Sequence, residues 1–402
     1  MRHASLALVA LVAAVLGGAA ALAIGKAGGW LGATTTATYV VTDQSAASPA
    51  AVQTVAGPLV SGVFNPARIY ATRSPGVVTV FSFFGSSSTP VAPESQGSGF
   101  VVSRDGLILT NSHVITNSGD AADASSVRPA KEVYVEFADG DRLPARIVGW
   151  DVFDDVGVLR VDASLHRVVP LPLGDSARVV VGEPVAAIGS PFGNTDSLSV
   201  GVVSATRSIG SLTSQYDLAD AIQTDAPINH GNSGGPLFDA RGRVIGINAQ
   251  LRGGGQGASG SAGVGFAVPI NAAKRTLRQL LTKGRVAYAY LGVGTEDLTP
   301  SLARRLGYAV LHGALVDRVE AGTAAAAAGL RAGRVTTRFA GEDVHVGGDV
   351  IVAVNGEPVR RAADVVRIVG EQLEPGQIAR LTIVRGTDRL VVPVRLRERP
   401  AR

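Results

Sequence analysis

The sequence predicts a mainly β protein, an all-β sandwich or a pair of β-barrels, followed by a smaller α+β domain and preceded by an apolar helix at the N-terminus. Its 402 residues are enough for two or three domains, and 46% hydrophobic against 17% charged residues supply material for packed cores. Short runs of Val, Ile, Leu and Phe alternate with Gly, Asp, Ser and Pro. Strand signals at this spacing are typical of an all-β sandwich or a barrel pair.

The first element is an apolar run, because residues 4–24 carry no charge and lie between Arg2 and Lys26. As a helix rising about 1.5 Å per residue, this run reaches roughly 30 Å, the thickness of a bilayer core. We therefore expect residues 1–26 to form a membrane anchor, with the body of the protein on the extracytoplasmic side of the cell membrane. Alanines at alternate positions near residue 20 keep a cleaved signal segment, and a secreted or periplasmic protein, as the alternative.

The rest of the chain divides by composition into a linker and two domains. Residues 27–62 are rich in Thr, Ala, Ser and Val and predict a flexible linker. Residues 63–284 form the first domain, with strands predicted at 77–84, 99–102, 107–110, 133–137, 145–149, 156–161, 184–188, 200–205 and 244–248. A Gly/Ser-rich loop at 253–263 precedes a helix at 271–281, with Asn271 as N-cap and Gly284 just past its end. Residues 285–402 form the second domain, with strands at 350–354, 379–384 and 390–394 and helices at 323–328 and 361–369.

Three short segments of the first domain carry residues suited to nucleophilic catalysis. They are TNSHVI with His113, GWDVFDDVGVLRV with Asp155, and GNSGGPL with Ser233. A serine hydroxyl is a weak nucleophile until a base takes its proton, and imidazole does this near neutral pH. A buried carboxylate then fixes the imidazole tautomer and stabilises the imidazolium. Together the segments predict a His113, Asp155, Ser233 triad.

The glycines around Ser233 predict the second part of such a site, the oxyanion hole. They allow the backbone N–H groups of Gly231 and Ser233 to converge on the developing negative charge. One such donor is worth about 3–4 kcal/mol in the transition state.

Each residue also has a structural interpretation, and the serine segment has a second catalytic one. A lone His after a strand is more often structural, and Asp commonly caps turns. Gly231-x-Ser233-x-Gly235 fits the nucleophile elbow of α/β-hydrolases, but that fold places its acid and His after the Ser and follows the elbow with a helix. The chain order His, Asp, Ser instead indicates the chymotrypsin-like double barrel.

The motifs resemble those of the HtrA/Deg family of trypsin-like serine proteases. The resemblance rests on TNSHVI, DVGVLRV, QTDAPINHGNSGGPL and GVGFAVPIN, and it covers about residues 65–396. YLGV, the run AAAAGLRAG and GGDVIVAVNGEPV resemble a single PDZ domain in the C-terminal part. The resemblance implies two six-stranded barrels with the triad in the cleft between them. It also implies ATP-independent, extracytoplasmic protein quality control and, commonly, trimers.

The PDZ resemblance implies a groove for the C-terminus of a peptide. In this reading Tyr290, Leu291, Gly292 and Val293 supply the carboxylate-binding loop and its strand, with the helix near residues 361–369 as the opposite wall. An apolar floor from Leu291 and Val293 favours a hydrophobic C-terminal residue.

The sequence departs from the family pattern at three places. His230 stands where the family usually has Pro, and Gly157 where it usually has Ala. The loop over residues 85–96 is short, which argues against the cage-like oligomers that some members build with it.

The resemblance to trypsin-like proteases also gives an expectation for the substrate pocket. Six positions before Ser233, where basic-specific enzymes carry an acid, this sequence has Pro227. We expect Ile228, Asn248 and Ala249 to line the pocket and to favour a small or medium aliphatic side chain.

Composition excludes several other kinds of site. Zero cysteines exclude disulfides, thiol catalysis and Cys-ligated zinc, and 37 basic against 33 acidic residues, without a basic stripe, give no reason to expect a nucleic-acid partner. Six scattered His residues without paired carboxylates predict no metal site, and GGGQGASG lacks the Lys-Ser/Thr of a P-loop. We expect no cofactor.

The expected partners follow from these features. They are unfolded or misfolded proteins, C-terminal peptides at the PDZ domain, further copies in a homotrimer, and the membrane through the N-terminal helix. A chaperone-like holdase and a PDZ scaffold with weak proteolysis are the alternative functions, and loss of activity in a Ser233 variant would discriminate against both.

Overall fold

The structure is a computed structural model that describes residues 64–85, 95–118, 126–190, 197–210, 217–229, 231–249 and 264–400. These residues belong to one compact unit. The predicted N-terminal helix, the linker, the 253–263 loop and His230 lie outside the described residues. Within those ranges, none of the helices is both long and apolar enough to cross a membrane.

A short helix, α1 (Pro66–Arg73), and one turn of 3-10 helix (Ser74–Gly76) lead into the first barrel. The Asn65 side chain caps α1 by accepting a hydrogen bond of 3.0 Å from the Arg68 backbone N–H. The helix is absent from the sequence-based prediction, although Asn followed by Pro is a recognised helix start.

The first barrel contains seven strand segments and a short helix that follows the third. They are β1 (Val77–Phe83), β2 (Ser95–Val101), β3 (Leu107–Thr110), α2 (Ser112–Ile115), β4 (Glu132–Glu136), β5 (Arg142–Pro144), β6 (Arg146–Asp151) and β7 (Val156–Arg160).

Six strands were expected here, and the seventh arises because one long strand bends. The antiparallel order is β5-β4-β1-β2-β3-β7-β6. Segments β5 and β6 are separated only by Ala145, whose N–H still donates to the Val133 carbonyl oxygen of β4 at 2.8 Å. The same stretch of chain therefore pairs with β4 at its start and with β7 at its end, which brings the sheet round into a barrel.

The second barrel closes by hydrogen bonding, as predicted. Its strands are β8 (Pro184–Gly189), β9 (Ser197–Gly210), β10 (Asp217–Thr224), β11 (Pro236–Phe238), β12 (Val244–Ala249) and β13 (Gly265–Pro269). They follow one another round the barrel in the order β10-β13-β12-β11-β8-β9.

One apolar cluster joins the two barrels. It includes Phe100 and Leu109 from the first barrel and Ile188 and Phe238 from the second, all fully buried. Because the clusters inside each barrel are separate from this one, the joint between the barrels has a core of its own. Side chains at its rim are held in fixed relative positions.

The amphipathic helix predicted at 271–281 is α3 (Ile270–Lys283), and it packs its apolar face on this joint. It ends at Gly284 in the left-handed conformation (φ 69°), where the sequence predicts the stop. The N-cap prediction is wrong: Pro269 holds that position, and the Asn271 amide instead donates to Asp175 Oδ1 at 2.7 Å.

The C-terminal part is an α+β domain with ten strands. Its elements are β14 (Ala289–Tyr290), β15 (Val293–Leu298), α4 (Pro300–Leu306), β16 (Gly313–Val319), α5 (Ala324–Ala327), β17 (Val335–Phe339), β18 (Glu342–Val346), β19 (Val350–Val354), β20 (Glu357–Pro358), α6 (Ala362–Arg367), β21 (Ile378–Arg385), β22 (Asp388–Arg395) and β23 (Arg397–Glu398). The main sheet has the order β15-β16-β19-β21-β22, with β20 beside β19. A π-helical turn (Ile368–Gln372) extends α6 and completes the helix predicted at 361–369.

The hairpin β17–β18 was not predicted. Its turn places Ala340 and Gly341 at φ 53° and 94°, a left-handed pair that usually carries Asn-Gly. Because Ala stands where Asn is usual, the turn cannot be recognised from the sequence. The Thr, Arg and acidic residues of the two strands also interrupt the alternation of apolar and polar residues that indicates a strand.

Candidate active site

His113 lies in α2, directly after the buried strand β3. Its side chain keeps 23% of its surface exposed, whereas the Asp155 side chain beside it keeps 5%. The imidazole is therefore open to a substrate on one side and backed by a buried carboxylate on the other.

Asp155 lies in the turn between β6 and β7 with a left-handed backbone, φ 52°. Its Oδ2 is 2.8 Å from His113 Nδ1, and its Oδ1 accepts bonds from the His113 N–H at 3.1 Å and the Ser112 hydroxyl at 2.8 Å. A carboxylate held at both oxygens fixes the ring orientation. It favours the tautomer with the proton on Nδ1, which leaves Nε2 as a base.

Close packing of β7 on the segment before α2 supports this pair. The Asn111 amide donates to the Asp155 carbonyl oxygen at 2.9 Å. A Cβ added at Gly157 would lie 2.9 Å from the Asn111 carbonyl oxygen and 2.8 Å from Ile115 Cδ1. The departure at Gly157 noted in the sequence therefore has a packing reason, because Ile115 fills the space beside it.

Ser233 lies in the tight turn between β10 and β11, on the face of the second barrel that meets the first. Gly231 and Gly234 adopt φ 94° and 88°, as the glycine-rich motif predicts. The Ser233 carbonyl oxygen accepts a 2.8 Å bond from the Ser98 N–H of β2. A Cβ at Gly97 would lie 2.9 Å from that oxygen and 2.7 Å from Val114 Cγ2, so the turn lies against the chain next to His113.

The three residues predicted to line the substrate pocket are buried beside this turn. Ile228 and Ala249 are 2% and 4% exposed, and Asn248 is fully enclosed. The Asn248 amide donates to the Pro236 carbonyl oxygen at 3.1 Å, and its backbone pairs with Gly234. Asn248 thus packs behind the nucleophile turn, and Ile228 packs in the apolar interior of the second barrel.

A buried polar cluster lies under the Asp155 turn, formed by Asp151, Asp154, Arg275, Thr276 and Tyr288. Asp151 Oδ2 accepts hydrogen bonds from the Thr276 hydroxyl at 2.8 Å and from the Tyr288 hydroxyl. Arg275 Nη2 contacts Asp154 Oδ2 at 2.5 Å, and both side chains are only 10–11% exposed. Burial, and then the charge of Asp154, raise the pKa of Asp151 to about 6. We call this group the Asp151 cluster.

The predicted peptide-binding loop of the C-terminal domain begins where β14 ends. The Tyr290 hydroxyl donates to Glu320 Oε2 at 2.7 Å, Leu291 is 3% exposed within the domain core, and Val293 packs against that core at the start of β15. Leu291 and Val293 therefore line the base of the loop.

Gly292 allows this loop to approach the start of α5. Its φ is 79°, and an added Cβ would lie 2.2 Å from Thr323 Cβ. The opposite helix, α6, packs alongside β15, and the Ala362 N–H donates to Asp297 Oδ1 at 2.7 Å. The strand and helix expected to flank a peptide groove are thus adjacent.

Comparison with solved structures identifies the family. The chain matches a structure described as the HtrA-type protease AlgW with tripeptide, with a TM-score of 0.65 and 30% identity, covering 84% of this chain and 98% of that one. The chain belongs to the HtrA-type protease family. A serine endoprotease from Yersinia pestis matches with a TM-score of 0.55 and 27% identity, covering 84% of this chain and all of that one.

Comparisons by sequence agree with this HtrA assignment. A family model for the trypsin-like peptidase domain matches residues 97–247, and one for the PDZ domain matches residues 289–396. A probable periplasmic serine endoprotease DegP-like from Brucella suis is 40% identical over 294 residues, 73% of this chain and 50% of its own length. The corresponding protein of Hahella chejuensis is 38% identical over 312 residues, 78% of this chain and 59% of its own length. This HtrA-type chain thus spans one half to three fifths of these relatives.

The structure adds site residues that sequence reasoning missed. Asn111 and Ser112 hold Asp155, Arg275 pairs with Asp154, and Ser98 holds the Ser233 turn. A polar pair directly before His113 and a serine between two glycines at 97–99 are the available signals. In the described part of this HtrA-type chain, no three His, Asp or Glu side chains are grouped so that they could hold a metal ion.

Proposed function

We propose that this chain is a serine endopeptidase in which Ser233 is the nucleophile, His113 the general base and Asp155 the orienting carboxylate. The observation that carries the proposal is the double contact of Asp155 with His113, at 2.8 Å to Nδ1 and 3.1 Å to the backbone N–H. The Ser233 turn, fixed on β2 beside the same segment, supports it.

The proposed reaction follows from these positions. His113 Nε2 takes the proton of the Ser233 hydroxyl as the oxygen attacks the substrate carbonyl carbon. The N–H groups of Gly231 and Ser233 bind the oxyanion, and the imidazolium is stabilised by Asp155. His113 then protonates the leaving amine, and a water activated by the same base hydrolyses the acyl-enzyme. The chemistry requires neither ATP nor a cofactor.

The proposed substrates are unfolded or misfolded proteins cleaved after small or medium aliphatic residues. The support for this preference is in the sequence, where Pro227, followed by the apolar Ile228, stands in place of an acid six positions before Ser233. Relatives named periplasmic serine endoproteases support a location outside the cytoplasm, where this activity would serve protein quality control. Sequencing the products of an unfolded protein tests the preference, and cleavage after Lys or Arg would contradict it.

Casein degradation by the purified protein tests the activity. Ser233→Ala and His113→Ala should each lower turnover by at least about a thousandfold, and the double variant should be no worse because the residues act as a unit. Asp155→Asn should also lower turnover strongly, because it permits the wrong tautomer. Ser164→Ala, an exposed serine bonded to Asp162, is the matched control. Near wild-type cleavage by Ser233→Ala would refute the proposal.

The same Ser233→Ala protein separates the peptidase from a holdase. If the protein is a holdase, the wild type does not degrade an unfolded protein, and Ser233→Ala prevents its aggregation as well as the wild type does. If it is a peptidase, the wild type degrades the unfolded protein and Ser233→Ala does not.

We further propose that the C-terminal domain binds the free C-terminus of peptides through residues 290–293. The PDZ match at 289–396 and the adjacent strand β15 and helix α6 support this. Peptides ending in an apolar residue should bind with roughly micromolar affinity, about −8 kcal/mol. Calorimetry on the full-length Ser233→Ala protein tests this, and equal binding of amidated and free-acid peptides would contradict carboxylate capture.

Location and assembly are proposals of the same kind. We expect an extracytoplasmic protein, either anchored by residues 1–26 or released after cleavage of that segment. Mass spectrometry of the native N-terminus decides between the two. We expect a homotrimer, and light scattering coupled to size-exclusion chromatography checks its mass.

A further inference from the structure

Ser98 is a fully buried serine in β2 whose polar groups are directed at the nucleophile turn and its surroundings. Its N–H donates to the Ser233 carbonyl oxygen at 2.8 Å, and its hydroxyl donates to the Gly231 carbonyl oxygen at 2.5 Å. The same hydroxyl accepts a 2.8 Å bond from the Ser190 N–H. The Ser98 carbonyl oxygen accepts a 2.6 Å bond from the Thr110 hydroxyl. The hydroxyl thus joins the turn to the end of β8.

The peptide group between Gly231 and Asn232 is held at both ends. Its carbonyl oxygen accepts the Ser98 hydroxyl, and its N–H donates to the Asn229 carbonyl oxygen at 3.0 Å. The two N–H groups proposed for the oxyanion hole, those of Gly231 and Ser233, belong to the peptide groups on either side of it. The backbone torsions at Gly231 and Asn232, on either side of this central peptide, set the angle at which the two donors converge, so bonds that hold it also hold that angle.

We propose that Ser98 is a positioning residue for the oxyanion hole, a role that rests on the proposed peptidase function. Gly231 has no side chain to restrict its backbone (φ 94°), so its conformation has to be imposed by its bonds. The Ser98 hydroxyl imposes it from a neighbouring strand in the other barrel. This aligns the oxyanion donors before substrate binds, which is the condition for strong transition-state stabilisation.

The space around Ser98 accepts only a small hydroxyl side chain. A Cβ at Gly189 would lie 3.0 Å from Ser98 Oγ and 2.7 Å from Asn232 Cα, and a Cβ at Gly235 would lie 3.3 Å from Ser98 Cβ. Two glycines therefore let the backbones close around this serine. A larger residue has no room, and Ala leaves the Gly231 oxygen without its donor.

The proposal predicts which kinetic constants change. Ser98→Ala should lower kcat by about 10- to 100-fold, less than the 100- to 1000-fold loss of a whole oxyanion donor. KM for a short peptide ending in a chromogenic amide should change by less than threefold, because the substrate's ground state does not use the oxyanion hole. A peptidyl boronate with a valine-like side chain forms a tetrahedral adduct with the nucleophile, so its affinity should fall by the same factor as kcat.

The control is Ser82→Ala, in β1 of the same barrel. Ser82 is also fully buried, and within the described residues its hydroxyl has no hydrogen-bond partner. This variant loses the same atom without losing a bond to the turn, and it should keep wild-type kcat and boronate affinity. Ser98→Gly fits the same space and also lacks the hydroxyl, so it should lose at least as much kcat as Ser98→Ala, and it serves if Ser98→Ala does not fold.

The experiment measures kcat, KM, boronate affinity and thermal unfolding for the four proteins. A parallel loss of kcat and boronate affinity confined to the Ser98 variants supports the proposal. It is overturned if Ser98→Ala keeps kcat within threefold of wild type, or if kcat falls while boronate affinity does not. A wild-type protein that neither cleaves nor binds the boronate would instead refute the proposed peptidase function, and this role with it.

Discussion

Replacing Asp151 by Asn removes a buried carboxyl group and keeps its shape. Burial and the Asp154 charge raise the pKa of Asp151 to about 6, whereas an Asp of an unfolded chain titrates near 3.9. Well below pH 4 the group is protonated in both states. Between about pH 4 and 6 the unfolded chain loses this proton while the folded protein keeps it, so stability that is present at low pH is lost as the pH rises, and the loss is complete once the pH has passed the folded pKa of about 6.

The size of the effect follows from this difference. Two pKa units correspond to about 3 kcal/mol, since one unit is worth about 1.4 kcal/mol. The free energy of unfolding of the wild type should therefore fall by about 3 kcal/mol relative to Asp151→Asn between pH 3 and pH 7. Asn keeps the acceptor for the Phe153 N–H, bonded at 3.0 Å, and the hydroxyls of Thr276 and Tyr288 can turn to accept from the new amide.

Urea unfolding at half-unit steps of pH measures the difference, with tryptophan fluorescence and circular dichroism as probes. Trp150 lies next to the substituted residue and reports on the first barrel. The matched control is Asp162→Asn, because bonds from Ser164 lower the pKa of this exposed carboxyl. Its difference curve should run the opposite way, with stability lost as the pH falls. A flat curve for Asp151→Asn, or one that rises with pH, would refute the reasoning.

Three further substitutions test the packing around the site. Arg275→Met should cost about 3–5 kcal/mol in urea unfolding at pH 7, because it leaves the Asp154 carboxylate buried and unpaired, and adding Asp154→Asn should restore most of the loss. Gly157→Ala should cost about 1–3 kcal/mol and lower turnover, since the new Cβ meets the Asn111 carbonyl oxygen; unchanged thermal unfolding would count against this. Gly292→Ala should destabilise the C-terminal domain by about 1–3 kcal/mol and abolish peptide binding seen by calorimetry, because it combines a left-handed φ with a clash.

The sequence predicts those parts of the fold that depend on local pattern. Apolar runs bounded by turn residues locate most strands of both barrels, and the end of α3 falls at Gly284 as expected. The N-cap of α3 fails because Asn271 bonds to Asp175, 96 residues earlier in the chain. Tertiary folding brings Asp175 close to Asn271, and this bond forms in place of the helix cap. The residues next to Asn271 in sequence do not indicate such a distant partner.

The candidate site divides in the same way. His113, Asp155 and Ser233 can be predicted from the sequence because their chemistry restricts which residue types can serve and in which order. The residues that hold them in place cannot be predicted, since Ser98 bonds to Gly231 across 133 positions of sequence. Small residues between glycines indicate close packing, and only the folded arrangement shows against what.

The Asp151 cluster has a consequence for deletion experiments. Tyr288, which bonds to Asp151, and Arg399, whose guanidinium lies 4.9 Å from the centre of the Phe153 ring, both belong to the C-terminal part of the chain. A protein cut after Gly284 would lose both residues and open the turn leading to Asp155 to water. Low activity in such a fragment would therefore not distinguish the loss of peptide binding from damage to the turn. Point substitutions in residues 290–293 leave the turn covered and separate the two effects.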